Sequence, residues 1–492
     1  MSCAYVHTYS LIDFEIAKSE GGIHMDLKDK ITNIMTFFVC LAVLSSAFML
    51  PADADENTPG TVTTPAFSIS CEPVGPAVSS TTSLSPKVTE TGKISISVDG
   101  LGTTGTGIIQ VEKPAGATVR SAYMAAASLW GASAIVNGQV KIDDQNVNWD
   151  YFVHGDTYNH WADVTSLVKT KIDNAPAGRV DFTIIEDNSY NIDGTILVVI
   201  FDDPAQTADN TIVLLFGAQS PAGDTFNLLL ADPVDTNNSG ISMDMGVGIS
   251  FSYQSGSAQY SIIDVNGKRL TSAAGGEDDG QPANGALITV GGLDDSNKNP
   301  VDPYQYSSID PRLDDELYNI LPFVKDGDDT ITVYTKNPSG DDNIFFAYFD
   351  LKSTVAIVGE GIVLGPASTT DPLGNNNTVT AIIQDDAGNP VVSKEVTFEI
   401  VSGPHAGLVT TAFTDANGEA TFTYLGISEG TDVIVASFIN DQQETVSSNE
   451  VTKTWVNESN EDPNEIPEFP TIALPIAAII GLAFIFQSRK EE

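Results

Sequence analysis

Between Lys93 and about residue 352 the chain is a succession of short β-branched and aromatic runs, each closed by Gly, Asn or Asp. Examples are VDFTIIE, TILVVIFD, TIVLLFG, FNLLLA, DTITVYT and NIFFAYFD. No long stretch shows the three-to-four-residue spacing of an amphipathic helix. Val, Ile, Phe and Tyr suit a pleated surface, while Gly, Asn and Asp reverse the chain. Strands this short at this spacing predict an all-β protein built of antiparallel sandwiches.

The region resembles itself. IVNGQVK (135–141) parallels DVNGKRL (264–270), each an Asn-Gly turn signal between apolar residues. ADVTSLV (162–168) parallels DDELYNILPFV (314–324), each an Asp-capped short helix or turn. RVDFTIIE and DGTILVVIFD then parallel DTITVYT and DNIFFAYFD. The shared order predicts tandem β-sandwich units at 91–216 and 217–352, the second with an acidic insertion at 275–303.

A third unit spans 353–456. About seven strands in roughly a hundred residues is the immunoglobulin-like count, with a hairpin expected on Asn417-Gly418. Asp386-Ala387-Gly388-Asn389-Pro390 and Thr414-Asp415-Ala416-Asn417-Gly418 resemble the turns of the bacterial Ig-like repeat of invasin- and intimin-type adhesins. That resemblance implies a rigid spacer, here a stalk. ADVTSLV followed by GTILVVIFDDP resembles the uncharacterised tandem β-domain of archaeal, methanogen-type surface proteins. Where that family carries Gly-Trp before the second strand, this chain has Asp193-Gly194-Thr195. The family lends a location and no chemistry.

Both extremities are apolar. ITNIMTFFVCLAVLSSAFML follows Lys28 and Lys30 and precedes Ala52-Asp53-Ala54, the small-x-small pattern of signal-peptidase cleavage. Residues 1–54 are thus expected to be a leader, with Met25 a candidate start. Its removal would leave Cys71 as the sole thiol and no intramolecular disulfide. Residues 55–90 are a Ser/Thr/Pro-rich lead-in of extended, O-glycosylated character. At the other end an acidic linker (457–466) leads into Thr471–Phe486, about 24 Å of apolar helix. Arg489 and Lys490 behind it predict a transmembrane helix with a cytoplasmic end. Pro467-Glu468-Phe469-Pro470, this short span and the basic pair together resemble the PEF-CTERM sorting signal of archaeal surface proteins. The resemblance implies processing by an archaeosortase-type transpeptidase and transfer to a lipid anchor. It also implies an extracellular, envelope-anchored location, with the membrane as partner through the tail.

The formal charge is −44, from 66 acidic and 22 basic residues, which disfavours nucleic acid as a partner. In WDYFVHGDTYNHWAD (149–163), His154, Asp156, His160 and Asp163 are candidate ligands for a transition metal. Trp149, Tyr151 and Trp161 are candidate faces for a sugar ring. The same residues equally suit a packed aromatic loop whose histidines only form hydrogen bonds. Asp278, Asp279, Asp294, Asp295, Asp326 and Asp328 stand beside glycines, a composition suited to Ca²⁺ or to a solvated anionic surface. Asn237, Asn376 and Asn457 head N-glycosylation sequons. No nucleophile elbow, phosphate loop or zincin motif occurs. The chain therefore reads as a non-enzymatic surface protein, structural or adhesive, with surface glycans or proteins as partners. The competing reading is a secreted glycan-acting or metal-dependent enzyme, or a carbohydrate-binding protein, using the 149–163 cluster.

Overall fold

The computed structural model describes residues 77–79, 83–102, 105–250, 261–274, 288–305, 316–340, 343–385, 387–441 and 443–457. The leader, Cys71, Asp278, Asp279, the sorting motif Pro467–Pro470 and the apolar tail lie outside them. The described chain is almost entirely β, with one short α-helix, Thr165–Asn174, and a 3₁₀ turn, Leu321–Phe323. Among the described residues no helix is long and apolar enough to cross a membrane.

Four sheets form a stack. The first outer sheet orders Thr106–Lys113, Gly178–Glu186, Val140–Ile142 and Gln145–Asn146. Beneath it lies a sheet ordered Ala77–Ser79, Tyr151–His154, Tyr158–Asp163, Thr118–Ser128, Ile192–Asp202 and Ile94–Leu101. The third sheet runs from Thr289–Val290 through Ser242–Ser250, Asn343–Lys352 and Asn210–Phe216 to Ser85–Gly92, with Leu317–Asn319 also on Ser242–Ser250. The second outer sheet orders Lys268–Ala274, Ser261–Val265, Thr330–Lys336, Asp224–Leu230 and Ala356–Val358. Pairing is antiparallel except at Ala77–Ser79 and, in the next unit, at Ser368–Pro372.

The two sheet pairs share one pairing order. The last strand (Ile192–Asp202; Asn343–Lys352) lies between the first (Ile94–Leu101; Asn210–Phe216) and the third (Thr118–Ser128; Ser242–Ser250). The penultimate strand (Gly178–Glu186; Thr330–Lys336) lies between the second strand and a hairpin. Those hairpins turn at Asp143-Asp144 and at Asn266-Gly267, all four residues with positive φ, as a type I′ turn requires. In the first pair the hairpin turn is therefore Asp143-Asp144. Asn137-Gly138 lies in the preceding loop, where Asn137 Oδ1 accepts the Trp149 N–H at 2.9 Å.

Three apolar layers fill the stack. The first holds Ile109, Phe182 and Ile184 against Met124, Leu197, Val199 and Phe201. The middle holds Ile94, Val98, Ile196, Val198 and Ile200 against Ile212, Leu214, Phe216, Phe346 and Tyr348. The third holds Val213, Leu215, Met245 and Phe349 against Phe226, Leu228, Ile331 and Val333. Successive side chains of a strand point to opposite faces, so Ile192–Asp202 feeds two layers at once. That is why its sequence reads as an unbroken apolar run. The sheets of the middle layer approach where side chains are missing: a Cβ on Gly248 would lie 2.5 Å from Ile196 Cδ1.

Two segments depart from the boundaries expected from the sequence. Asn210–Phe216, placed with the first unit at 91–216, pairs with Asn343–Lys352 of the second. Ser85–Gly92, whose residues up to Glu90 fall in the expected lead-in, is the edge strand beyond it. Pro86 is tolerated there because it sits on an edge, beside a register shift at Leu214/Leu215.

Residues 361–456 form a separate sandwich of a three-stranded sheet and a six-stranded sheet around Ile383, Phe398, Phe422, Ile434 and Trp455. Asn417-Gly418 does not close a hairpin. Val409–Phe413 pairs with Glu395–Ser402, whereas Glu419–Leu425 pairs with Asn376–Gln384, so the turn carries the chain from one sheet to the other. Asp415 Oδ1 holds it by accepting the Asn417 and Glu419 N–H groups.

Candidate functional site

The segment 149–163 folds as a hairpin at the rim of the middle layer, its strands Tyr151–His154 and Tyr158–Asp163. Alternation sends neighbouring side chains into different interiors. Trp149 lies in the first apolar layer and Trp161 in the middle one, each only 4% exposed. Trp161 stacks on Tyr123 at 5.2 Å and meets Phe216 at 5.2 Å. Neither indole face is open to a sugar.

His160 is fully buried. Its Nε2 accepts the Ile135 N–H at 3.1 Å and its Nδ1 lies 3.2 Å from the Tyr158 carbonyl, which fixes a neutral, Nδ1-protonated ring. Burial pushes its pKa down to about 4, against the weaker opposing pull of that carbonyl. His154 and Asp156 are exposed at the hairpin tip, with His154 stacked on Tyr158 at 3.9 Å. Asp163 is exposed at the far end and accepts the Thr165 N–H at 2.8 Å, just ahead of the helix, whose N-cap residue is Val164. The four candidate ligands are thus divided between an interior position, the hairpin tip and the approach to the helix.

What the hairpin does hold is the seam. Asn343 Nδ2 reaches Thr157 Oγ1 (2.8 Å), Asn159 Oδ1 (3.0 Å) and Ser250 Oγ (2.9 Å). Asn159 Nδ2 donates to the Gly217 carbonyl at 2.7 Å. All but the Ser250 bond join the first sheet pair to the second, and no local signal in the sequence announces them.

The acidic candidates also find local partners. Asp294 takes a two-pronged bond from Arg179, at 2.7 and 3.0 Å, which holds its pKa below the usual carboxylate range. Asp295 accepts the Gly292 N–H at 2.6 Å. Between them Leu293 N–H donates to the Val98 carbonyl at 2.9 Å, so this loop of the second sheet pair clasps an edge strand of the first. Asp326 accepts the Thr236 N–H and Asp328 the Lys325 N–H. Among the described residues no group of three or more His, Cys, Asp or Glu is arranged to hold a metal ion. Asn237, Asn376 and Asn457 are all exposed.

The Ig-like unit carries a buried polar cluster that sequence reasoning did not isolate. Asp432, 0% exposed, accepts from His405 Nδ1 (2.7 Å), Tyr424 Oη (2.9 Å), Trp455 Nε1 (2.8 Å) and the His405 N–H (2.9 Å). His405 Nε2 accepts the Ile427 N–H at 3.0 Å, so the ring is spent on structure. Burial and the Asp432 carboxylate push the Tyr424 hydroxyl pKa well up.

Layered sandwiches with an Ig-like unit behind them, and a chain end of sorting type, define a surface-anchored all-β protein. The end is specific: residues 466–490 match the PEF-CTERM archaeal protein sorting domain. The protein is accordingly extracellular and anchored at the cell surface. No curated protein matches the chain. Among solved structures it is similar to the D0-D1 domain of intimin, at 13% identity over 50% of this chain and 90% of that one, with a TM-score of 0.17. It is also similar to a putative membrane anchored protein from Corynebacterium diphtheriae, at 10% identity over 70% of this chain and 61% of that one, TM-score 0.18. At such scores neither likeness says what the chain does.

Proposed function

We propose that the chain is a non-enzymatic display protein of an archaeal envelope, structural or adhesive in its work. In this reading the four-layered body is carried on the Ig-like unit as a stalk. The observation that carries it is the sorting-domain match at 466–490, which lies C-terminal to the Ig-like unit. The join between body and stalk supports a stiff connection. Ala356–Val358 is the edge strand of the body and Gly361–Gly365 already belongs to the stalk, leaving two residues between them. Gly365 packs where a Cβ would meet the Ala231 carbonyl at 2.1 Å, and Ala367 N–H donates to Asp232 at 2.9 Å. An archaeosortase-type enzyme would process the tail and a lipid would replace it.

Two measurements test this. Protease treatment of intact cells should release fragments of the 85–456 region, and mass spectrometry of the native C-terminus should find the chain ending before Thr471. Recovery of the whole, untethered polypeptide from cytosol would refute it.

A further inference from the structure

Three aromatic side chains of the body are largely exposed among the described residues: Tyr304, at 69%, has Arg269 over its ring, while the other two share one sheet end. Trp130 is 73% exposed and Tyr190 75%, whereas the other three tryptophans, Trp149, Trp161 and Trp455, are at most 4% exposed. Their positions are coupled. Thr118–Ser128 and Ile192–Asp202 are neighbouring strands with Ser128 opposite Ile192, and Trp130 and Tyr190 lie two residues beyond that pair on the same sheet end. The Leu129 N–H donates to the Asn191 carbonyl at 3.1 Å. Asn191, buried, then pins the Trp130 loop with its amide: Oδ1 accepts the Ser133 N–H at 2.7 Å and Nδ2 donates to the Ser133 carbonyl at 2.8 Å. A 129–132 turn, closed by Ala132 N–H to Leu129 O at 3.1 Å, has Gly131 at its third position with φ +72°. That is the left-handed conformation a type II turn needs, and it leaves Trp130 at the outer corner. The 154–158 hairpin tip adjoins the same end, where the Tyr158 N–H donates to Ser128 Oγ at 2.9 Å.

Solvent-facing rings on a pinned backbone have a use. Leaving an indole and a phenol in water forgoes favourable apolar burial. The two rings together present roughly 200–400 Å², short of the ~800 Å² per partner of a stable protein interface. Asp187, paired with Lys141, and Asn188 precede Tyr190 in the chain, and Asp156 is exposed at the hairpin tip. The Asp156 carboxylate repels anionic lipid headgroups and polyphosphate, while offering acceptors to hydroxyl groups. Adjacent strands lie about 4.8 Å apart, so the three segments span about 10 Å, the reach of two linked sugar rings. The electron-rich face of an aromatic attracts the partially positive C–H face of a pyranose.

We propose that Trp130 and Tyr190 form a stacking ledge that binds neutral polysaccharide. It deepens the display reading, which supplies the surface glycans for the ledge to meet.

The test is affinity electrophoresis of the full chain in gels holding β-1,4-glucan, mannan or chitin oligomers, with Trp fluorescence quenching by acrylamide alongside. At least one of these should retard the wild type, and W130A and Y190A should each weaken that retardation tenfold or more while W130F retains most of it. The same sugar should protect the one quenchable tryptophan. No retardation by any of the three, retardation unchanged in W130A with unchanged unfolding temperature, or a Trp130 blue shift on phosphatidylcholine vesicles but not with sugar, each overturns the ledge. Failure here with the chain still found at the cell surface leaves the display reading standing; sugar binding by a cytosolic chain would do the reverse.

Discussion

Asp350 offers a sharp test of how the body is held together. It is 9% exposed on Asn343–Lys352, directly across the ladder from Asp244, and its Oδ1 is buried without a hydrogen-bond partner. Burial raises its pKa to about 6; Asp244 adds to the rise, and Lys352, 3.9 Å from Oδ2, opposes it. For a carboxyl raised in the folded state, the native protein binds the extra proton. Stability from this group is therefore gained as pH falls through about 6 and lost as pH rises, a swing of about 3 kcal/mol. His160 has the opposite sign. Its folded pKa of about 4 means the unfolded chain takes the proton first, so stability falls by about 3 kcal/mol as pH drops from 6.5 toward 4. Between pH 4 and 6.5 the two oppose each other, and Asp99, raised by burial to about 6, acts in the same sense as Asp350. Asp350→Asn keeps the shape and removes one of them. At pH 7.5 it should stabilise the body by about 1–3 kcal/mol, several degrees in melting temperature. Between pH 7 and 4 it should lack the gain of about 3 kcal/mol that protonation of Asp350 gives the wild type. Chemical denaturation across that range measures both. A variant less stable at pH 7.5, or one whose pH profile overlays the wild type, refutes the reasoning.

Other substitutions probe other joints. Gly248→Val forces a branched side chain onto Ile196 across the middle layer and should cost about 1–3 kcal/mol by overpacking, read as a lower melting temperature. Asp432→Ala strands four donors, three of them side-chain groups, in the Ig-like unit; at about 1–3 kcal/mol each if left unpaired, it should be the most damaging, with Trp455 emission reporting the loss. Arg179→Ala breaks an ion pair whose Asp294 partner is 77% exposed and should cost under about 1 kcal/mol, vanishing in molar salt.

How far the sequence could be read depends on range. Asn266-Gly267 is a local signal, and the hairpin it predicts is present. Asn417-Gly418 is the same signal, but the path of the chain beyond it is decided by a distant partner: Phe422 pairs with Val379 and not with the strand just before the turn. The middle layer was half legible. TILVVIF, TIVLLF and IFFAYF break the polar alternation that a one-faced strand would show, which announces burial on both faces. Nothing local says what lies on the second face, so Asn210–Phe216 passed for the close of one unit when it opens the next. The aromatic cluster failed for a related reason. Trp149 and Trp161 look like a display in one dimension, yet the hairpin turns them into separate interiors. Trp130, set in LWGASA beside a turn glycine with no apolar alternation around it, was the tryptophan whose context spoke for exposure.

The distribution of cations explains how so anionic a chain stays assembled. With 22 basic residues against 66 acidic, long-range electrostatics oppose compaction, and the few cations matter by position. Arg120 spans Glu90, on the edge strand of the third sheet, and Asp202, on the second sheet, at 3.0 and 2.7 Å. Arg179 ties the Asp294 loop to the first outer sheet. Lys113 donates to the Asp173 and Ala175 carbonyls at the C-terminal end of the helix, both at 2.8 Å. Lys453, 1% exposed, meets Asp371 on the parallel edge strand of the Ig-like unit. Arg120 to Glu90, Arg179 and Lys113 bridge elements that no ladder joins, whereas Lys453 reinforces the parallel ladder it stands on. The apolar layers supply the stabilising free energy and the cations select which surfaces meet. A body ordered this way leaves an outer face with an excess of carboxylates. Such a face repels anions, and a neutral, hydroxylated ligand meets it where aromatic rings stand in place of carboxylates.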